Sequence, residues 1–377
     1  MTAFRFIHSS DLHLGRRFLS LADTPDANLR GRLTEARHAA LGRLAEAARA
    51  HGARDVLLAG DTFDSATPSD AVLRQALAAM RDHDDLVWWL LPGNHDNLRE
   101  AEPLWDAIQR DAPENVRPLT HAAPVSLGAW ATLLPCPVAY RSAAQDATEA
   151  LVTMPSDEGT ARIGLAHGGV TDFEDTGAAI PPDRDRSARL DYLALGDWHG
   201  RLEVGARVHY SGSPEQDRFR HDRRGVCLAV TVPGPGAAPE VREIETGTFL
   251  WTQAQLRLTP GQDAAAALAA LLPEAGRRDL LLSVAASGRA SLAEQAALQD
   301  AAARVAPEFA YFRLTVEALA TQHAEADLDA IDRAGALRLA ADRLRAEATD
   351  EGLSPEQREI ADAALARLYA IVREVRG

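Results

Sequence analysis

Short apolar runs recur through the first half of the chain, and each stops at a polar cluster rich in Asp, His and Gly. Phe4–Ile7 runs into His-Ser-Ser-Asp-Leu-His-Leu-Gly, Asp55–Ala59 into Gly-Asp-Thr-Phe-Asp, and Leu86–Leu91 into Pro-Gly-Asn-His-Asp. Further on, Arg162–Ala166 leads into His-Gly-Gly and Tyr192–Leu195 into Gly-Asp-Trp-His-Gly. Runs this short, with turn residues after them, predict buried strands rather than helices. Between the first three runs, Leu29 to His51 and Ser69 to Asp82 carry helical periodicity. Strand–helix–strand alternation predicts βαβ units and a largely parallel sheet. Ligands collect at the carboxyl ends of such strands, which is where all five polar clusters fall.

The pattern changes after Val232, where Pro-Gly-Pro-Gly-Ala-Ala-Pro marks a surface loop. Phe249–Leu258, Leu280–Ala285 and Tyr311–Val316 then read as strands, with helices over about Asp263–Leu272 and Leu292–Val305. Ser291 and Glu294 form a capping box at the start of the second helix. From Ala326 the chain reads as two helices, the last opening Ser354-Pro-Glu-Gln with an N-cap serine and a proline at the first helical position. Its apolar positions, Ile360, Ala364, Leu368, Ile371, Val372 and Val375, follow helical spacing. The helices pack on their own domain or dock a partner, and the sequence supports both equally. These divisions predict a catalytic domain over 1–245, a small capping domain over 246–325 and a C-terminal helical segment over 326–377.

Composition narrows the class. With 46% hydrophobic and 25% charged residues the chain builds an ordinary packed core, and no apolar run approaches the roughly eighteen residues of a membrane span. Met1-Thr-Ala-Phe-Arg moves straight into a strand-like segment without an apolar signal region. The two cysteines, Cys136 and Cys227, are too few for a disulfide framework and have no metal-type spacing, so the expectation is a cytoplasmic protein with reduced thiols. The formal charge of -15 counts against a general nucleic-acid binder, although a cation-filled cleft supplies its own positive field. All the basic residues are arginines, with clusters at Arg16-Arg17 and at Arg218, Arg220, Arg223 and Arg224. Taken singly each cluster is a solvated surface, and phosphate contact requires the fold to bring both near the polar clusters.

Those clusters contain Asp11 and His13; Asp61 and Asp64; Asn94, His95 and Asp96; His167; and Asp197 and His199. A lone Asp-x-His is usually a capped turn. Five such clusters in order, each after a strand, match the roughly six to eight carboxylate, imidazole and amide ligands needed by two divalent cations about 3.5–4 Å apart.

Residues 4 to 215 resemble the calcineurin-like metallophosphoesterase superfamily, whose pattern is Asp-x-His, Gly-Asp-x-x-Asp, Gly-Asn-His-Asp/Glu, a lone His after a strand, and Gly-His-x-His. The opening Phe-Ile-His-Ser-Ser-Asp-Leu-His-Leu-Gly and the Tyr210-Ser-Gly-Ser-Pro segment are most similar to the SbcD-type DNA repair exonucleases. The resemblance implies an α/β metallophosphoesterase sandwich, βαβ-built sheets flanked by helices, with a small α+β capping domain and a C-terminal helical pair. It implies that Asp11, His13 and His199 hold one metal, Asp61 bridges, and Asn94, His167 and position 197 hold the other. Position 197 is Asp where the family usually has His, a harder ligand that favours Mn²⁺ or Mg²⁺ over Zn²⁺. The expected cofactors are therefore two divalent ions, Mn²⁺ foremost, with Mg²⁺, Fe²⁺ and Zn²⁺ as alternatives. His95 is the expected general acid, oriented by the Asp64 carboxylate, and Asp96 is expected to stabilise its loop. Arg16, Arg17, Trp198, His209 and Ser213 are the candidate substrate contacts. Phosphoprotein phosphatases of the superfamily carry Arg directly after the second Asp of Gly-Asp-x-x-Asp; Ser65 stands there, which counts against that substrate. The implied partners are DNA, an SMC-like ATPase subunit of the SbcC type docked on the C-terminal helices, and a second copy in a homodimer, with no membrane. The alternative activity is hydrolysis of small nucleotides or phosphodiesters.

Overall fold

The computed structural model describes residues 3–21, 26, 28–141, 146, 148–170, 179–322, 325–332 and 334–376. The chain divides into two compact units, Met1–Trp251 and Thr252–Gly377.

The first unit is a mixed α/β sandwich. Strands β1 (Phe4–Ser9), β2 (Asp55–Leu58), β3 (Val87–Leu90) and β4 (Val116–Pro118) run parallel in that order. Helices α1 (Leu29–His51), α2 (Asp70–Arg81) and α3 (Glu102–Asp111) connect them. A second sheet holds β5 (Val125–Ser126), β6 (Ala131–Cys136), β7 (Ala161–His167), β8 (Tyr192–Gly196), β9 (Leu202–Gly205) and β10 (Val208–Tyr210), in the order β5-β6-β7-β8-β10-β9. The core strands β6, β7, β8 and β10 are parallel, and β5 and β9 close the two edges antiparallel. The short α4 (Arg184–Ser187) precedes β8. The chain then returns to the first sheet as β11 (Val226–Val232), antiparallel to β1, and ends there with β12 (Glu240–Glu245). Two mixed sheets thus stand where strand–helix alternation alone predicts one largely parallel sheet.

Period-two alternation explains the continuous apolar runs. On β2, Val56 and Leu58 join Ile7, Leu41, Leu44, Met80, Trp88 and Trp105 in the layer under the helices. Leu57 and Ala59 face the other way and pack with Phe6, Leu133, Ile163, Leu165 and Tyr192 between the sheets. A strand buried on both faces has no polar side to show. Local signals set the helix ends: Ser69 accepts from Val72 N at 3.4 Å to start α2, and Gly52 closes α1 in the left-handed region at φ 69.

In the second unit β13 (Leu250–Leu258), β14 (Leu280–Ser291) and β15 (Tyr311–Gln322) form a three-stranded sheet in that order. Helices α5 (Ala264–Leu271) and α6 (Leu292–Val305) connect its strands, and the Ser291–Glu294 capping box is present. Strands β14 and β15 run about twice the expected length, pairing through Ser291↔Gln322 across an irregularity between Ala285 and Ser287. Three C-terminal helices follow rather than two: α7 (Glu325–Ile331), α8 (Ala336–Thr349) and α9 (Pro355–Arg376). Gly335, at φ 136, stands just before α8. Leu328, Ile331, Ala341, Leu365, Tyr369 and Val372 share one core with Leu292 and Ala296 of α6. No helix among the described residues is long and apolar enough to cross a membrane.

Candidate functional site

Asp11 follows β1, Asp61 follows β2, Asn94 and His95 follow β3, His167 ends β7, and Asp197 and His199 follow β8. Two close approaches bring these strand ends from both sheets to one place. A Cβ on Gly196 would lie 2.0 Å from Ala59 O, and a Cβ on Gly93 would lie 2.2 Å from Asp61 Oδ1. Only a missing side chain allows such contact.

The donors form two adjoining groups, with Asp11 and Asp61 at their junction. In the first, Asp11 Oδ1 lies 3.9 Å from both His13 Nε2 and His199 Nε2, which are 3.2 Å from each other. In the second, His167 Nε2 lies 3.6 Å from Asp61 Oδ2 and 3.8 Å from Asp197 Oδ1. Asp61 Oδ2 is also 3.7 Å from His13 Nε2, between the two groups. Donors held about 2.0–2.2 Å from one ion are about 3–3.6 Å apart, so these spacings suit cations after slight contraction. Asn94 donates from Nδ2 to Asp197 Oδ1 at 3.0 Å. Its buried Oδ1 has no hydrogen-bond partner, and neither has the buried His167 Nε2. Orphaned buried acceptors among carboxylates are the donor set of a cation site.

Electrostatics agree. Burial, joined by Asp96 and Asp11, lifts the Asp61 carboxyl well above its ordinary range against the pull of His167. The carboxylates Asp61, Asp11 and Asp197 outweigh burial at His167 and raise its imidazole to about 9. The cluster therefore draws positive charge, as protons or as metal. His13 goes the other way: burial lowers it to about 3, so it stays a neutral donor.

The loops are pinned from behind. Asp96 accepts from Gly93 N at 2.7 Å and from Phe63 N at 3.1 Å, clamping the β3 loop to the β2 loop. Asp61 Oδ1 accepts from His95 N at 2.9 Å. His167 Nδ1 is held by Ala59 O at 2.8 Å, which leaves Nε2 facing the carboxylates.

His95 sits half-buried beside this cluster, edge-on to His13 with ring centroids 4.8 Å apart. The expected pairing with the Asp64 carboxylate is not formed. His95 Nδ1 bonds the backbone carbonyl of Asp64 at 2.9 Å, while the carboxylate faces His13 Nδ1 at 3.4 Å and Arg16 at 3.1 Å. The loop after β2 turns the Asp64 side chain toward the β1 loop, and only its main chain meets His95.

The candidate substrate contacts separate. Arg16 reaches the cluster, but its guanidinium is taken up by Asp64 and Asp217. Arg17 is exposed. Trp198 is half-buried, with the Arg220 guanidinium 4.4 Å above its ring and His221 edge-on to it. Ser213 is fully buried, and its hydroxyl lies within bonding distance of Asp11 O (2.8 Å) and Glu215 O (2.6 Å), so it shapes the loop rather than facing the cluster. His209 is 2% exposed and stacks on Tyr192 inside the sheet, its Nε2 on Ala206 O. The strand pleat directs its ring into the sheet, away from the loops that carry the Asp and His cluster.

Sequence reasoning missed Asp217 and Arg37. Asp217 meets His199 Nδ1 at 3.2 Å, and His199, Arg37 and Arg218 outweigh its burial to hold it well below the usual carboxylate range. Arg37 of α1, 1% exposed, reaches Leu12 O at 2.5 Å and Glu215 O at 3.0 Å.

Residues 4–185 match the family described as calcineurin-like phosphoesterase. The uncharacterized metallophosphoesterase YhaO of Bacillus subtilis (strain 168) is 28% identical over 232 residues, which cover 59% of this chain and 55% of that protein. The chain thus spans about half the length of the curated relative it matches. The crystal structure of TT1561 of Thermus thermophilus is 14% identical, covers 64% of this chain and 99% of its own, and has a TM-score of 0.38.

Proposed function

We propose that this chain, whose residues 4–185 match the calcineurin-like phosphoesterase family, is a two-metal phosphodiesterase that cleaves DNA. The observation that carries the phosphoesterase reading is the pair of imidazole–carboxylate groups sharing Asp61 Oδ2. Asp11, His13 and His199 would hold one cation, Asn94, His167 and Asp197 the other, with Asp61 between them. When bound, the cations supply Lewis acidity and a water acidic enough to ionise near neutral pH. Three carboxylates in one donor set, Asp11, Asp61 and Asp197, favour a hard ion, Mn²⁺ first.

His95 serves as the acid for the leaving oxygen. The Asp64 carbonyl accepts from Nδ1–H whether the ring is neutral or charged, so Nε2 can gain and lose a proton without the ring turning. For the polymer substrate the support is local charge. Arg218, paired with Asp217, lies beside His199, and the exposed Arg220 rests on the Trp198 ring. Guanidinium groups beside a cation site suit consecutive phosphates. A partner ATPase docked on the C-terminal helices is supported by the resemblance to the SbcD-type nucleases and by exposed apolar residues on α8 and α9, Leu339, Ile360, Ile371 and Val375. The net charge of -15 favours the second reading, hydrolysis of small phosphodiesters.

The test is cleavage of labelled single- and double-stranded DNA with Mn²⁺ by wild type, His95→Ala and Asp61→Ala, with bis-p-nitrophenyl phosphate alongside. DNA cleavage lost in both variants is the expected result. Turnover of the small diester alone moves the protein to the second reading. No turnover of either, with both cations bound, refutes the assignment.

A further inference from the structure

His13 and His199 meet at their Nε2 atoms and each turns Nδ1 toward a carboxylate. His199 Nδ1 lies 3.2 Å from Asp217 Oδ1. His13 Nδ1 lies 3.4 Å from Asp64 Oδ1, long for a hydrogen bond, and has no other partner. An ionised carboxylate only accepts, so each ring places a proton on Nδ1 and turns Nε2 toward the other ring. Arg218 gives an independent sign. Its guanidinium, a donor only, approaches His199 Nε2 at 3.3 Å, which suits a lone pair there. The two Nε2 atoms stand 3.2 Å apart, a separation that one Nε2–H would bridge as a hydrogen bond and that two lone pairs would not, with Asp11 Oδ1 completing the triangle. Lone pairs so close repel one another unless positive charge lies against them.

The two carboxylates are joined by one side chain. Arg16 reaches Asp64 Oδ1 with NH1 at 3.1 Å and Asp217 Oδ2 with Nε at 3.2 Å. Arg37 approaches the same Asp217 oxygen at 3.5 Å and ties it to the backbone of Leu12, between Asp11 and His13. A planar fork can meet two carboxylates at fixed angles where a lysine could meet one.

We propose that Arg16, Asp64 and Asp217 form a positioning bracket that fixes the tautomer and tilt of His13 and His199 so that both Nε2 lone pairs face one cation. The identity of what they face rests on the two-metal reading above. Arg16 is thereby engaged within the protein and does not contact phosphate. Asp64 acts through His13, not through His95. The bracket couples the first polar cluster of the chain to the last, from opposite sheets.

Two measurements on the full chain test it. Two-bond ¹H–¹⁵N correlation spectra of histidine-labelled protein without added cation, assigned with His13→Gln and His199→Gln, report each tautomer; both are expected as Nδ1–H. Titration with Mn²⁺, followed by the resonance of the free ion, compares wild type with Arg16→Gln, Arg16→Lys and Asp217→Asn. Arg16→Gln and Asp217→Asn are expected to weaken at least one Mn²⁺ by about tenfold or more, the range typical for partners behind a ligand, with partial recovery in Arg16→Lys. Arg16 is about a quarter exposed, so Arg16→Gln decides if Asp217→Asn does not fold. An Nε2–H tautomer at either ring, or Arg16→Gln with wild-type Mn²⁺ affinity, overturns the bracket. A wild type that binds no Mn²⁺ overturns the two-metal reading instead, and the tautomers still decide the bracket.

Discussion

Asp61 lies between the two donor groups, its Oδ2 3.7 Å from His13 Nε2 and 3.6 Å from His167 Nε2, and Gly93 is what gives it room. A methyl group at position 93 would sit 2.2 Å from Asp61 Oδ1 and 2.4 Å from Asp61 N. Ordinary van der Waals contact lies at about 3.5 Å, so Gly93→Ala forces a separation of about 1 Å. Asp61 is 1% exposed and cannot swing into solvent. The β3 loop cannot retreat either, because Asp96 pins Gly93 N at 2.7 Å. The displacement therefore falls on the Asp61 carboxylate and on the His95 amide that bonds it.

A misplacement of about 1 Å in a reacting constellation costs about 10²-fold, and overpacking a dense interior costs about 1–3 kcal/mol. Gly93→Ala should lower kcat/KM on bis-p-nitrophenyl phosphate with Mn²⁺ by about two orders of magnitude, with a measurable fall in Tm. Gly31→Ala is the matched control. Gly31 lies exposed in the first turns of α1 with nothing near its missing Cβ, and alanine there should stabilise by up to about 1 kcal/mol without touching turnover. A folded Gly93→Ala enzyme within a few-fold of wild type would refute the claim that Asp61 placement governs the site.

His8 is fully buried between Tyr192 OH (3.0 Å) and Leu195 O (3.1 Å), and burial lowers its imidazole to about 3. The unfolded chain binds that proton from about pH 6.5 downward while the folded chain does not, so stability should fall by about 1 kcal/mol per pH unit between roughly 6.5 and 3. Urea midpoints across that window should flatten in His8→Gln; an unchanged slope would exclude His8 as the source. Burial pushes the thiols of Cys136 and Cys227 up to about 12, so both stay protonated and should resist Ellman's reagent at pH 8 until the chain is unfolded; rapid labelling of native protein would contradict this. Glu215, buried, accepts from Thr248 N, Phe249 N and Arg43 at 2.7–2.9 Å, and Glu215→Ala should destabilise by about 3 kcal/mol in chemical denaturation because those donors lose their partner.

What could be read along the chain was whatever the backbone expresses locally. Strands such as β2 are apolar on both faces because each face meets a different core, so the run and the polar cluster after it stand out. Caps at Ser69 and Ser291 announce their helices. Long-range pairing is silent in sequence. Nothing in Val226–Val232 says that it returns beside β1, and the polar second halves of β14 and β15 become strand only through each other. Asp217 lies in a stretch dense with both charges and reads as solvated surface, although it is buried behind His199. Arg37 sits on an Ala/Leu/Arg helix where any arginine looks solvent-facing. The Asp64–His95 relation failed differently: the neighbours were foreseen, but sequence cannot tell whether a residue offers its carboxylate or its carbonyl.

Backbone strain shows why those hidden residues matter. Among the described residues seven non-glycines adopt positive φ, and four of them are Asp11, His13, Asp61 and Asp197. Each such conformation costs on the order of 1–3 kcal/mol and persists only where the surroundings over-determine it. Asp and His tolerate it better than most residues, yet none prefers it. The donors therefore do not hold themselves in place. Arg37 on Leu12 O, Ser213 at Asp11 O, Asp11 on Asp197 N and the Asp96 clamp beside Asp61 supply the restraint. Those restraints come from α1, from the segment after β10, from the β1 loop and from the β3 loop, which lie far apart in the chain. The Asp and His motifs bring the candidate ligands, and the frame from distant elements supplies the geometry that holds them together.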